Sequence, residues 1–163
     1  MRPPESRFEP TSLLSYSADI WGLALATWEI TGMKALFSCQ YLEPDDVTST
    51  QINVLGPLPA AWWERWETRH EFFDENGHQK QGIYSWPPLA EAFEIMQAFR
   101  RQVPATGIYD QDEAAAILNL IRRMLVFEPG KRPTAEEVLA SEWMVKWARP
   151  DFERSSQCQQ MST

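Results

Sequence analysis

The sequence predicts a mainly α-helical protein, and its length fits one domain or a piece of a larger one. It has 163 residues, of which 44% are hydrophobic, so it is long enough to bury a sizeable core. Its eight Trp and eight Phe are large side chains that need such a core. Apolar residues recur at helical spacing in two long segments, and no segment predicts a β-strand.

The longest predicted helix covers about residues 18–31 and lies at the centre of the fold. Ser17 is expected to cap its first amides, Asp19 to place negative charge in its first turn, and Gly32 to end it in the left-handed region. A helix that is apolar nearly all round is typical of a buried element. The apolar residues fall on two faces, with Ile20, Leu23, Ala24, Thr27 and Ile30 on one and Trp21, Leu25 and Trp28 on the other.

Shorter elements are predicted before and after this helix. The first ten residues carry three Pro and are expected to pack onto another part of the fold. A short helix is predicted over 48–55, because Gly56 and two prolines follow it. Further elements are, in order, a helix over 59–73, a turn over 74–77, a loop over 77–87 that packs Tyr84 and Trp86, a helix over 88–100 and a loop over 102–110.

Two capped or amphipathic helices are predicted near the C-terminus. The first is expected to end at Pro129 and Gly130, and its apolar face is formed by Ile117, Leu118, Ile121, Met124 and Leu125. Thr134 and Glu137 have the spacing of a capping box, which predicts the start of the second. A last short helix is predicted over 142–147, and the polar residues 150–163 are predicted to form a disordered tail.

The composition limits the classes of partner and site. Fifteen basic and 23 acidic residues give a formal net charge of −8. This charge disfavours binding to nucleic acid and weakly favours basic partners. A need for solubility alone would also explain the charge. Cys39, Cys158, His70 and His78 are too few soft ligands, at the wrong spacing, for a structural zinc site. The longest apolar-rich run, residues 20–30, is too short for a membrane span, and the first residues contain no apolar stretch of the kind expected of a secretory signal. We therefore expect a soluble protein of the cytoplasm or nucleus.

Four short motifs occur in the order in which one known family carries them. They are Pro3-Pro4-Glu5, which matches Ala-Pro-Glu with Pro for Ala; Asp19-Ile20-Trp21-Gly22, which matches Asp-x-Trp-x-x-Gly with an early Gly; Lys131-Arg132-Pro133-Thr134; and Ser141-Glu142-Trp143-Met144, which matches His-Pro-Trp-Phe/Leu. In this order they resemble the C-terminal lobe of a eukaryotic protein kinase. The resemblance covers about residues 2–148 and implies a partial kinase domain over 1–149, followed by the tail at 150–163.

A finer resemblance lies between these motifs. The segments LFSCQYLEPDD, QINVLGPLP and EFFDENG are similar to those of SR-protein kinases and their fungal relatives, which carry an insert that would fall at about 57–110 here. The resemblance implies phosphorylation of Ser and Thr in proteins, with ATP and magnesium as cofactors.

The catalytic motifs of that family are absent from these 163 residues. There is no Gly-rich loop, no Val-Ala-x-Lys, no His-Arg-Asp and no Asp-Phe-Gly, and these motifs hold the phosphates and the metal. We therefore expect no catalytic, cofactor or metal site in this chain, and no activity of the chain alone. Three hypotheses stay open: a fragment of a longer kinase, a non-catalytic module that binds basic peptides, and a lobe that pairs with a separate N-terminal partner chain.

The resemblance assigns roles to particular residues. It implies a buried ion pair between Glu5 and Arg132, which would anchor the N-terminal segment, whereas surface positions would make the pair weak. It places Asp19 at the start of the central helix, where only charge stabilisation of that helix remains as its role.

Two further groups have alternative interpretations. The resemblance to SR-protein kinases implies that the acidic residues Glu43, Asp45 and Asp46 dock Arg-rich protein substrates, whereas an acidic run of this kind also occurs in an ordinary solvated loop. The group Trp62, Trp63 and Trp66 is expected to pack onto a neighbouring helix, although an exposed patch would bind a partner. We also expect exposure of the helix face near Trp21 and Leu25, with poor solubility as the result.

Overall fold

The computed structural model describes residues 2–37, 43–83, 86–103 and 107–160, and the side chains of the last range as far as residue 157. Within these ranges the protein is helical, and the β-structure consists of one isolated bridge between Phe73 and Gln79. The prediction of a mainly α fold is confirmed. The helices are α1 (Glu5–Phe8), α2 (Tyr16–Gly32), α3 (Pro44–Leu55), α4 (Ala60–Arg65), α5 (Arg69–Phe72), α6 (Leu89–Arg100), α7 (Gln111–Met124), α8 (Ala135–Leu139) and α9 (Arg149–Gln160), with a 3-10 turn at Pro129–Lys131 and a π-helical turn at Met144–Ala148.

Helix α2 is the central element and packs against α6 and α7. It begins earlier than predicted, because Ser15 rather than Ser17 is the N-cap and accepts a hydrogen bond from the backbone N–H of Ser17 at 3.4 Å. It also ends later, because Gly32 is still helical and Met33 adopts the left-handed conformation with φ 61°. Gly32 instead lies against the side chain of Met96 in α6.

One face of α2 is buried and the other is open to water. Trp21, Ala24 and Trp28 are at most 1% exposed and lie in the main core, whereas Leu23 is 45% and Ile30 76% exposed. The prediction that α2 is buried nearly all round is therefore wrong. The expectation that the Trp21 and Leu25 side would face solvent is also wrong, because α6, α7 and the segment that contains Phe37 cover it.

A second, smaller cluster lies beside the main core and contains most of the aromatic residues of the N-terminal half. Phe8 stacks on Trp62 with ring centroids 5.4 Å apart, and Trp62 meets Phe127 edge to face at 6.4 Å. The other members of this cluster are Ile52, Leu58, Trp66 and Phe73. The cluster holds the N-terminal segment against α3 and α4, as the prolines in that segment led us to expect.

Three predicted boundaries differ from the structure. Helix α3 begins at Pro44 rather than 48, since proline is favoured in the first helical turn. The helix predicted over 59–73 is divided into α4 and α5 by an extended residue, Trp66. Helix α7 ends at Met124, before Pro129 and Gly130, and this frees Phe127 to enter the second cluster.

The C-terminal region contains one predicted feature and one that was not predicted. The capping box forms: Thr134 N–H donates to Glu137 Oε2 at 2.8 Å, and Glu137 N–H donates to Thr134 Oγ1 at 3.2 Å. Where the sequence predicted a disordered tail over 150–163, the structure has helix α9 as far as Gln160. Pro150 in the first turn and an ion pair between Asp151 and Arg154 on one face favour this helix.

A few expectations fall outside what the structure describes, namely those for Cys39, Tyr84 and the side chain of Cys158. Trp86, which was predicted to pack under the loop before α6, does pack against the main core. Among the described helices, none combines the length and the apolar character that a membrane span needs.

Candidate functional site

Arg132 binds the carboxylate of Glu5 through two parallel hydrogen bonds. Nη1 donates to Oε1 and Nη2 donates to Oε2, each at 2.7 Å. The residues are 127 positions apart in sequence, so only the tertiary fold brings them together. The side chain of Arg132 is 0% exposed and that of Glu5 is 7% exposed. The pair is therefore a buried, bidentate one, which is the strong form of this interaction.

The remaining donors of Arg132 are satisfied as well. Nε donates to the carbonyl oxygen of Val126 at 2.8 Å, and the terminal nitrogens donate to the carbonyls of Ser17 and Phe127 at 2.9 Å each. All five N–H groups of the guanidinium thus have an acceptor. Its central carbon also lies 5.0 Å from the centroid of the Trp21 ring. A charge buried this completely requires such pairing, so Arg132 and its partners act as one structural unit.

Local sequence places the two members of the pair. Pro3 and Pro4 lead directly into α1, whose first residue is Glu5. Arg132 follows the 3-10 turn that Pro129 starts, and it precedes the capped first turn of α8. The N-terminal segment, the start of α2 and the turn before α8 therefore meet at one point. This arrangement is architectural, since both side chains are buried within the fold.

Asp19 is exposed and lies in the first turn of α2. It is not the cap of the helix, because Ser15 holds that position. A carboxylate in the first turn stabilises a helix through the macrodipole by about 0.3–1 kcal/mol. The structure thus places Asp19 where the sequence predicted it, with charge stabilisation as its contribution.

The three acidic residues before and within α3 have different surroundings. Asp45 is 29% exposed and forms an ion pair with Arg7. Asp46 Oδ2 accepts a hydrogen bond from the backbone N–H of Glu43 at 3.0 Å, which caps the start of α3. Glu43 itself is exposed. The carboxylate of Glu43 in turn accepts from the backbone N–H of Asp46, so all three carboxylates are already engaged within the protein.

The Asp45 carboxylate is the centre of a small polar network. Trp66 Nε1 donates to Asp45 Oδ1 at 2.6 Å, and the guanidinium of Arg7 also donates to Thr48 Oγ1 at 2.7 Å. Partial burial raises the pKa of Asp45, but hydrogen bonds from Arg7, Trp66 and Thr68 and the charge of Arg7 outweigh it, so the pKa lies below its usual range. The network joins the N-terminal segment to α3 and to the break between α4 and α5.

The tryptophans of α4 and its end pack inward, as the sequence analysis expected. Trp62 is 3% and Trp66 2% exposed, while Trp63 is partly buried. Trp62 Nε1 also donates to Glu9 Oε1 at 3.0 Å. These side chains therefore hold the N-terminal segment in place and do not form an exposed patch.

Arg7 is the residue of this region that sequence reasoning missed. It reaches Asp45 across 38 sequence positions, and its guanidinium lies 5.9 Å from the ring centroid of Trp66. A local pattern carries no signal for a contact at this separation.

The kinase resemblance implies that ATP and magnesium are bound as cofactors. No group of three or more His, Cys, Asp or Glu side chains there is arranged to hold a metal ion. The phosphate-binding motifs are absent from the sequence itself. The described residues thus show no ligand set for magnesium, and we derive no step through ATP or a metal.

Three curated proteins illustrate what this chain is similar to. A serine/threonine protein kinase of Aspergillus fumigatus is 22% identical over 137 residues, which cover 78% of this chain and 30% of that kinase. The serine/threonine-protein kinase AFC2 of Arabidopsis thaliana is 25% identical over 128 residues, or 77% of this chain and 28% of that kinase. The serine/threonine-protein kinase SRPK of Physarum polycephalum is 24% identical over 130 residues, or 77% and 29%. No family model matches the chain.

The chain thus spans less than a third of the length of these curated relatives. Their names and the partial coverage confirm the resemblance to the C-terminal lobe of protein kinases of the SR-protein-kinase-like group.

Proposed function

We propose that this chain forms the C-terminal lobe of a Ser/Thr protein kinase of the SR-protein-kinase-like group. In this proposal the lobe provides the helical frame, and residues outside these 163 provide the groups that bind ATP and transfer phosphate. The observation that carries the proposal is the buried pair of Glu5 and Arg132. The relatives named above support the kinase relation at the level of the family.

The pair supports this function because of what it connects. Arg132 contacts the N-terminal segment through Glu5, the start of α2 through Ser17, and the end of the α7 segment through Phe127. In the kinases that the sequence resembles, the corresponding pair anchors the activation segment to the lobe. Here one guanidinium holds all three elements together, so Arg132 can anchor the N-terminal segment to the lobe in the same way.

An exposed apolar surface gives independent support. Side chains at the start of α2 and along its open face are apolar and accessible: Leu13 at 97%, Leu14 at 54%, Tyr16 at 70%, Leu23 at 45% and Ile30 at 76% exposed. Exposed apolar surfaces of this kind often mark a contact with another protein part. The proposal assigns this surface to contact with the remainder of a kinase domain, in the same polypeptide or in a partner chain.

A chimera tests the proposal. The matching segment of the Aspergillus fumigatus kinase is replaced by residues 2–148 of this chain, and transfer of phosphate from ATP to an Arg-Ser repeat peptide is measured. We expect a folded chimera to phosphorylate the peptide, and Arg132→Ala to reduce its activity and its melting temperature together. A folded chimera without activity, beside an active parent kinase, would overturn the proposal.

A second candidate function is a non-catalytic module that binds Arg-rich peptides through Glu43, Asp45 and Asp46. The observation that favours it is that Asp45 already holds a guanidinium, that of Arg7, beside the ring of Trp66. For a peptide to bind at Asp45, its Arg side chain would have to displace Arg7. Fluorescence anisotropy with a labelled Arg-Ser repeat peptide tests it, with Glu43→Gln expected to weaken binding and Glu136→Gln, at an exposed position on α8, to leave it unchanged.

A further inference from the structure

A groove between the ends of α3 and α7, which we call the α3–α7 groove, has no role in the function proposed above. It encloses about 680 Å³ and is open to solvent on one side. The end of α3 and the Gly56–Pro59 loop form one wall, the start of α6 forms a second, and the end of α7 with the residues after it forms a third. A volume of this size lies within the usual range of binding sites.

The floor of the groove is apolar. Leu58, Leu89 and Phe127 line it and are themselves buried, at 7%, 5% and 6% exposure. Pro57 and Pro88 stand on its rim and are exposed. The groove therefore offers an apolar surface for side chains between two rigid, proline-bearing edges.

The charge of the groove is opposite to that of the protein as a whole. The exposed side chain of Arg122 lines it, and no acidic side chain of the described residues pairs with that guanidinium. Glu128, which also lines the groove, forms an ion pair with Lys131. In a chain of net charge −8, an unpaired guanidinium at the edge of an apolar groove favours an anionic partner.

Asn53 adds an unused hydrogen-bonding group. Its side-chain nitrogen is shielded from water and has no hydrogen-bond partner in the described part of the protein, although the residue lines the groove. An unsatisfied buried amide costs free energy, typically about 1–3 kcal/mol. A ligand carbonyl reached by rotation of the Asn53 side chain would remove that cost. Main-chain carbonyls of a peptide are the most common acceptors of this kind.

We propose that the α3–α7 groove binds an extended segment of a partner protein in which an Asp or Glu is flanked by apolar residues. The carboxylate pairs with Arg122, the apolar side chains contact Leu58 and Phe127, and a main-chain carbonyl accepts from Asn53. This partner is opposite in charge to the Arg-rich peptides considered for the acidic residues of α3. The two sites therefore differ in location and in ligand, and each can fail independently of the other.

A peptide array tests the proposal with the intact chain as probe. The array carries twelve-residue peptides in which Leu and Pro alternate with Asp and Glu, with Asn and Gln, or with Lys and Arg, and binding of the fluorescently labelled chain is recorded. We expect the acidic apolar peptides to be retained. Chemical-shift changes on addition of the best peptide should centre on Asn53, Leu58 and Arg122.

Two matched variants decide whether Arg122 is responsible for binding the acidic peptides. Arg122→Glu should weaken the dissociation constant by about tenfold or more, which corresponds to the loss of one favourable charge contact. Arg123→Glu, an exposed neighbour outside the groove, makes the same change in net charge and should weaken binding clearly less, because its side chain does not line the groove. Retention of no acidic peptide, preference for the basic peptides, or equal effects of the two variants would each overturn the proposal. Equal binding of free glutarate would also overturn it, because it would show a site for small anions.

Discussion

Gly32 of α2 lies against the side chain of Met96 of α6. A Cβ at position 32 would come within 1.5 Å of Met96 Cε, the end of a flexible side chain, so this side chain occupies space that any residue larger than Gly would need. Met96 is 2% exposed and Phe93 meets Trp28 one turn earlier, with ring centroids 5.9 Å apart. The packing of α6 on α2 therefore depends on a glycine that the sequence analysis interpreted as a helix stop.

The substitution Gly32→Ala should lower the free energy of unfolding by about 1 kcal/mol, because the buried end of the Met96 side chain must move to another rotamer within the core. Gly22→Ala is the matched control, because Gly22 is helical and nothing lies within 4 Å of a Cβ there. That variant should be neutral or more stable by up to about 1 kcal/mol. Urea denaturation of both variants measures the difference, and equal stability of the two would contradict this packing.

The open face of α2 predicts how the isolated chain behaves in solution. Leu23→Gln should raise solubility and leave the melting temperature nearly unchanged, because the side chain is 45% exposed. Leu25→Gln, two positions away, should lower the melting temperature by several degrees, because Leu25 is 7% exposed and belongs to the main core. Thermal melts and sedimentation of the two variants check this. A larger thermal effect at position 23 would show that the faces are assigned the wrong way round.

The lowered pKa of Asp45 predicts part of the loss of folding stability in acid. Its folded-state pKa lies below the unfolded value of about 3.9, so the folded protein binds fewer protons and this carboxylate adds stability above that pH. The contribution is lost as the pH falls from about 4 through the lower folded value.

The substitution Asp45→Asn should therefore reduce stability at neutral pH and flatten its decline in acid. Glu64→Gln, at an exposed position, should leave the curve unchanged. Unfolding free energies from pH 2.5 to 7 test this, and parallel curves for Asp45→Asn and the parent chain would exclude the linkage.

The chain alone should bind no ATP-magnesium and transfer no phosphate. The physical reason is that none of its 163 residues belongs to a motif that holds the phosphates or the metal. Isothermal titration with ATP-magnesium measures this directly, with an active SR-protein kinase as the positive control. Binding in the micromolar range would show that the chain contains a nucleotide site of a different kind.

Features with a local cause were predictable from the sequence. The capping box of Thr134 and Glu137 depends on residues three positions apart, and it forms as expected. The apolar repeat of α7 likewise predicts a buried face, and Ile117 and Ile121 are fully buried. The motif order also predicted the meeting of Glu5 with Arg132, although only through the resemblance to kinases.

Features that depend on tertiary contacts were not predictable. The hydrophobic pattern of α2 does not show which apolar face is covered, because Leu23 and Leu25 differ only in what packs against them. The end of α7 at Met124 depends on Phe127 entering a cluster formed by Phe8 and Trp62. The ion pair of Arg7 with Asp45 has the same origin, since no local pattern specifies the partner.

The central claim is that Glu5 and Arg132 form the buried anchor of a kinase-type lobe, and the free energy of unfolding of three variants tests it most directly. Arg132→Met alone leaves the Glu5 carboxylate buried and unpaired, which typically costs about 3–5 kcal/mol. Adding Glu5→Met to that variant removes the unpaired charge, so the double variant should be more stable than Arg132→Met alone. A double variant whose loss equals the sum of the two single losses would contradict the pair, and with it the lobe that the pair anchors.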